Sequence, residues 1–237
     1  MVVNTVPMGV SEFSGRTPLL LAAAVGLSTG MTATMFYSLG AFMPSLQAAF
    51  GWARGDISLG VTIMTIGLFL SGPIAGRLCD RWGAAVVGTA SLISYAIATI
   101  VMTLVLHRIE QFWAAYFVIA ILGAGSTPIV LIRPITAAFR ARRGLALGLA
   151  LTGAGIAGFW VPLLTQSVAS AYGWQAAYCA LAGTALLASP LIWFGFRDVD
   201  LARMDDDAMV APLTGLTAAE ARRTPTYWIL SCVALAM

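Results

Sequence analysis

Gly76-Arg77-Leu78-Cys79-Asp80-Arg81-Trp82-Gly83 is a charged island between two apolar runs, 57–75 and 84–106. The glycines at its two ends permit a tight turn and close helix contact. Asp80 is placed to cap or face the positive end of a helix. Arg81 can pair with a carboxylate or with helix-end carbonyls. A cluster of this kind both turns the chain between two spans and can latch one helix bundle to another.

Outward from this island the chain is almost uniformly apolar. Of its 237 residues, 59% are hydrophobic and 10% charged, against roughly 25% charged in ordinary soluble domains. So few charges cannot cover so much apolar surface in water. The composition excludes a soluble enzyme, a disordered chain and a disulfide scaffold, and points to an all-α integral membrane protein. The formal charge of +3 gives no reason to expect a nucleic-acid partner. All thirteen basic residues are Arg; the absence of Lys rules out lysine Schiff-base chemistry. Cys79, Cys179 and Cys232 are far apart, without metal-ligand spacing. No cofactor and no metal are expected.

A hydrocarbon core of about 30 Å needs about 20 apolar residues in a helix. Six runs reach that length, at 18–43, 57–75, 84–106, 112–139, 145–168 and 175–196. A further run, 227–237, has eleven residues and spans only about 17 Å as a helix, so it reads as the truncated start of a seventh. The expected organisation is a tail (1–17), a six-helix bundle (18–196), a polar linker (197–226) with the acidic run Asp205-Asp206-Asp207, and that start (227–237). With the N-terminus placed in the cytoplasm, ten arginines fall on the cytoplasmic side and two, Arg54 and Arg108, on the other. That is a positive-inside distribution, and it predicts a multi-pass protein of the plasma membrane (the inner membrane of a bacterial cell). Arg133 belongs to neither set.

The octapeptide resembles the loop 2–3 signature of the major facilitator superfamily, G-x-L-x-D-R-x-G, and matches it at Gly76, Leu78, Asp80, Arg81 and Gly83. The basic pair that usually follows is replaced by Ala84 and Ala85. The resemblance implies the N-terminal six-helix half of a carrier, built of 3+3 inverted repeats, whose missing C-terminal half is a partner. It also implies that Asp80 and Arg81 help to hold an outward-open state. Four further stretches, 37–42, 50–58, 142–148 and 173–178, resemble the oxalate/formate-antiporter-like and monocarboxylate-transporter-like branch. Where relatives often have Ser, Ala53 stands, which leaves Asp56 as the expected cap of the second span.

Intramembrane polar groups are the candidate substrate contacts. Arg133 is the one charge well inside a span. Such charges are costly and often functional, and a guanidinium grips a carboxylate bidentately. Its position near a span end equally suits snorkelling to the interface. Thr34 and Tyr37 in the first span, with Ser28, Thr32 and Ser38, and Trp160 and Gln166 in the fifth, are further candidates. Hydroxyls in helices commonly bond their own backbone instead. Tyr116, Trp113 and Trp174 read as an interfacial aromatic belt. Gly26 and Gly30, and Gly144, Gly148 and Gly155, form small-residue faces for close helix packing.

Together these features predict a secondary carrier of small organic anions, mono- or dicarboxylates, working by alternating access in a lipid bilayer. A non-transporting six-span fragment or assembly partner is the alternative, because a path needs two bundles. An intramembrane serine protease is disfavoured: Ser126 would need a facing His, and the one histidine, His107, sits at the end of a span.

Overall fold

The computed structural model describes residues 13, 15–139, 142–197 and 224. The chain divides into two compact units, Met1–Leu201 and Ala202–Met237. The acidic run at 205–207 and the expected seventh-helix start at 227–237 lie outside the described residues, as does most of the N-terminal tail. Among the described residues the first unit is helical throughout: α1 (Thr17–Thr29), α2 (Met31–Phe50), α3 (Arg54–Val105), α4 (Ile109–Gly123), a 3-10 turn (Ala124–Ser126), α5 (Pro128–Leu131), α6 (Arg133–Ala138), α7 (Arg143–Tyr172) and α8 (Trp174–Phe196).

Five helical stretches are long and apolar enough to cross a membrane: Thr17–Phe50, Arg54–Val105, Ile109–Ala138, Arg143–Tyr172 and Trp174–Phe196. The runs expected at 57–75 and 84–106 fall together in the 52-residue α3. A straight helix of that length would rise about 78 Å, more than twice the hydrocarbon thickness. It is not straight: Gly83 has φ 81° and ψ 160°, a conformation that residues with a Cβ adopt only under strain. The glycine closing the charged island thus breaks the helix where the two apolar runs meet.

Helix ends follow local chemistry only in part. Gly51, at φ 71°, closes α2 with its N–H on the carbonyl of Gln47. The cap expected from Asp56 is not made. Ala53 stands at the N-cap of α3 without a side-chain bond, and Asp56 lies one turn inside, where its carbonyl accepts the Trp113 indole N–H at 2.8 Å.

In the packing, α3 lies along α4 and α8, and α7 along α1 and α2. The expected aromatic belt is corrected here for two of its three residues, Trp113 being partly exposed. Tyr116 and Trp174 are buried, because rings from α2, α4 and α8 cluster: Phe42 stacks on Tyr178 at 3.7 Å, and the Tyr116 and Tyr178 hydroxyls bond at 2.9 Å.

The glycine faces also divide. A Cβ on Gly26 would press on Ile192 and Leu131, and one on Gly30 would meet the Ser126 carbonyl. At Gly144, Gly148 and Gly155 it would meet nothing within 4 Å, so the contact expected there is absent among the described residues. The buried stripe of α7 is Ala146, Ala150, Gly153, Ala157, Val161 and Thr165, recurring every three or four residues as one helix face must. The three glycines lie off it. Gly153 makes the close approach instead, against the backbone of Ala24.

Candidate functional site

Two polar regions stand out on the bundle. The first is the charged island. Arg133, at the start of α6, donates from Nη1 to Asp80 Oδ1 in an ion pair. Around the pair runs a groove of about 540 Å3, whose lining includes Gly72, Gly76, Arg77, Asp80, Ile129 and Arg133. Gly76 has no side chain to block it; a Cβ there would lie 3.7 Å from the Arg133 guanidinium. Leu78 packs on the core, and the Arg81 guanidinium lies over the Trp82 ring at 6.0 Å. The five signature residues therefore divide the work: two glycines clear space and turn the chain, Leu78 anchors, and the two charges face outward.

The second region is the seam where α7 crosses α1 and α2. The Trp160 indole N–H donates to Ser28 Oγ at 2.8 Å. Two residues earlier on α7, the ring of Tyr37 lies over Gly158, 3.7 Å from where a Cβ would stand. Beyond it opens a cleft of about 440 Å3, lined by Gly40, Ala41, Pro44, Ser45, Gln166, Ala169 and Ser170. Pro44 and Pro162 sit inside α2 and α7. Each removes a helix hydrogen bond and disturbs the backbone where it stands. The hydroxyls of Thr32 and Thr165 are buried without a hydrogen-bond partner.

Of the five candidate substrate contacts, the structure brings Tyr37, Trp160 and Gln166 onto this seam. Thr34 is turned into the bundle: its hydroxyl donates to the Gly30 carbonyl at 3.0 Å and lies 3.5 Å from the Tyr95 hydroxyl. Arg133 stands elsewhere, with Asp80. Sequence reasoning passed over Gly158 and Tyr95. The signal for Gly158 was a small residue two positions before Trp160; for Tyr95, the one phenol in the run 84–106.

Among the described residues, Ser126 and His107 are not brought together as a nucleophile with its base. Ser126 Oγ donates to the Gly123 carbonyl at 2.7 Å and accepts the Met31 N–H at 3.1 Å, so its hydrogen-bonding capacity serves the backbone. His107 is occupied at the end of α3, its Nδ1 3.0 Å from the Val105 carbonyl. Among the described residues, no three His, Cys, Asp or Glu side chains group as metal ligands.

A family model described as Major Facilitator Superfamily matches residues 25–237. No curated protein matches the chain.

Proposed function

The chain belongs to the Major Facilitator Superfamily, a family of membrane transporters, and on that premise we propose that it is a six-span bundle of a secondary carrier working by alternating access. The break at Gly83 supports counting α3 as two spans, which makes six of the five long stretches. In this reading the seam of α2 and α7 is one wall of the path, and a second bundle of the same fold forms the other wall. The observation that carries it is the juxtaposition beside an open cleft of Tyr37 from α2 with Trp160 and Gln166 from α7, the least buried of the five stretches. An exposed aromatic and polar face on a membrane helix suits a water-filled path or a moving interface better than lipid.

Small organic anions remain the substrate class we propose, on the branch resemblance at 37–42, 50–58, 142–148 and 173–178. Arg133 would serve as their anchor only in a state where its pair with Asp80 is open. The location is the plasma membrane, with the N-terminus and the 197–226 linker in the cytoplasm, on the arginine distribution.

Uptake of radiolabelled formate, oxalate and lactate into cells expressing the protein, against a neutral solute such as glycerol, tests the proposal. Saturable uptake of a carboxylate that falls on Trp160→Ala at equal membrane expression supports both parts. Saturable uptake of glycerol alone overturns the anion class. No uptake of any solute, with the protein in the membrane, favours the non-transporting alternative.

A further inference from the structure

The first and fourth spans are both interrupted near their middles. In the first span α1 stops at Thr29, Gly30 is extended (ψ 155°), and α2 restarts at Met31. In the fourth, α4 stops at Gly123, one 3-10 turn follows, Thr127 is extended (ψ 162°), and α5 starts at Pro128. The residues at the two breaks are Ser28-Thr29-Gly30 and Ser126-Thr127-Pro128. Each is a Ser-Thr pair followed by a helix-breaking residue, and each lies in the span that opens a set of three.

The two breaks touch. A Cβ on Gly30 would collide with the Ser126 carbonyl, and one on Gly123 would lie 2.7 Å from Met31. Breaking a helix orphans backbone groups, and a membrane protein tolerates that only where other protein groups satisfy them. Here they do so across the crossing. Ser126 Oγ takes the Met31 N–H at 3.1 Å. Tyr95 donates to the Thr29 carbonyl at 2.5 Å, and Ser91 Oγ takes the Gly125 N–H at 3.1 Å. Thr29 and Thr127 bond back to the carbonyls of Val25 and Ala124. An unbroken helix resists bending through its ladder; at these two midpoints the ladder is interrupted, and a few side-chain bonds take the place of the missing backbone ones. Ser28, which holds Trp160, is the second residue before Gly30.

We propose that this crossing is a paired hinge, with Ser126 as the positioning residue that couples the bend of the first span to that of the fourth and so sets the Ser28–Trp160 contact. The link to transport rests on the seam being the path wall; the hinge itself does not.

Hydrogen–deuterium exchange of the protein in lipid nanodiscs tests the hinge without any substrate. Ser126→Ala should speed exchange of the amides at 29–34 about fivefold, the scale of one lost hydrogen bond, while α8 stays unchanged. Ser126→Thr, which keeps the hydroxyl, should restore the protection. Tyr95→Phe, acting from another helix, should loosen the same amides, and it supplies the test if Ser126→Ala does not accumulate. Unchanged exchange at 29–34 in the accumulating variants, or a rise of equal size in α8, overturns the hinge. If exchange responds as expected while no solute is taken up, the hinge stands and the carrier reading falls.

Discussion

Asp80 and Arg133, 53 positions apart in the chain, meet as an ion pair at one end of the bundle. The pairing ties the charged island between the two parts of α3 to the end of the fourth span. It also accounts for a charge inside an apolar run: Arg133 reaches a carboxylate at the edge of the span, where a groove is open to it.

The pair adds little to stability. The Asp80 side chain is 64% exposed, and exposed pairs contribute about 0.2–1 kcal/mol. Asp80→Asn and Arg133→Gln should each leave thermal stability nearly unchanged while lowering uptake. The double variant should lose no more uptake than the worse single one. Additive losses in a double-mutant cycle would separate the two residues.

Gly83 and Gly144 should respond oppositely to the same substitution. Gly83→Ala forces a Cβ into φ 81° and should destabilise by about 1–3 kcal/mol. Gly144 stands in open space near the start of α7, and Gly144→Ala should be neutral or stabilise by up to about 1 kcal/mol. Thermal unfolding of the two variants in detergent reads both; a Gly83→Ala protein as stable as the parent contradicts the break.

On α7, Gly153→Leu should abolish accumulation of folded protein, since even a Cβ there overlaps the Ala24 backbone. Gly155→Leu should be tolerated. Size-exclusion profiles of the two variants separate these outcomes.

The Tyr116–Tyr178 pair is one hydrogen bond shared by two buried rings. Either Tyr→Phe change should cost about 0.5–1.5 kcal/mol. The double change should cost much less than the two summed, because the second hydroxyl leaves with no partner to abandon. Fully additive losses would show that each phenol has a further partner.

Much of this architecture was legible in the sequence, and the reasons differ from place to place. The apolar runs and the island at 76–83 were readable because span length and glycine-flanked charge are local properties. The packing role of Gly153 was not, since choosing among the glycines of α7 requires knowing which face α1 covers. The fate of Arg133 was hidden for a similar reason: its partner lies on another span, and depth within an apolar run does not reveal direction. Tyr37, Trp160 and Gln166 were singled out as polar groups in apolar runs, and the structure gathers them on one seam. Thr34 met the same criterion but bonds its own helix, the commoner fate of a helical hydroxyl.

The central claim is that the seam between α2 and α7 is a wall of the transport path. Ala41 lines its cleft nine positions before the end of α2, and Ile97 is exposed on α3 eight positions before the end of that helix. Introduced singly as Ala41→Cys and Ile97→Cys, with Cys79, Cys179 and Cys232 replaced by Ser or Ala, each would be treated in membranes with an impermeant maleimide applied to each face in turn. The account predicts that Ala41→Cys is labelled and Ile97→Cys, facing lipid, is not. Equal labelling of the two, or no labelling of Ala41→Cys from either face, would contradict it.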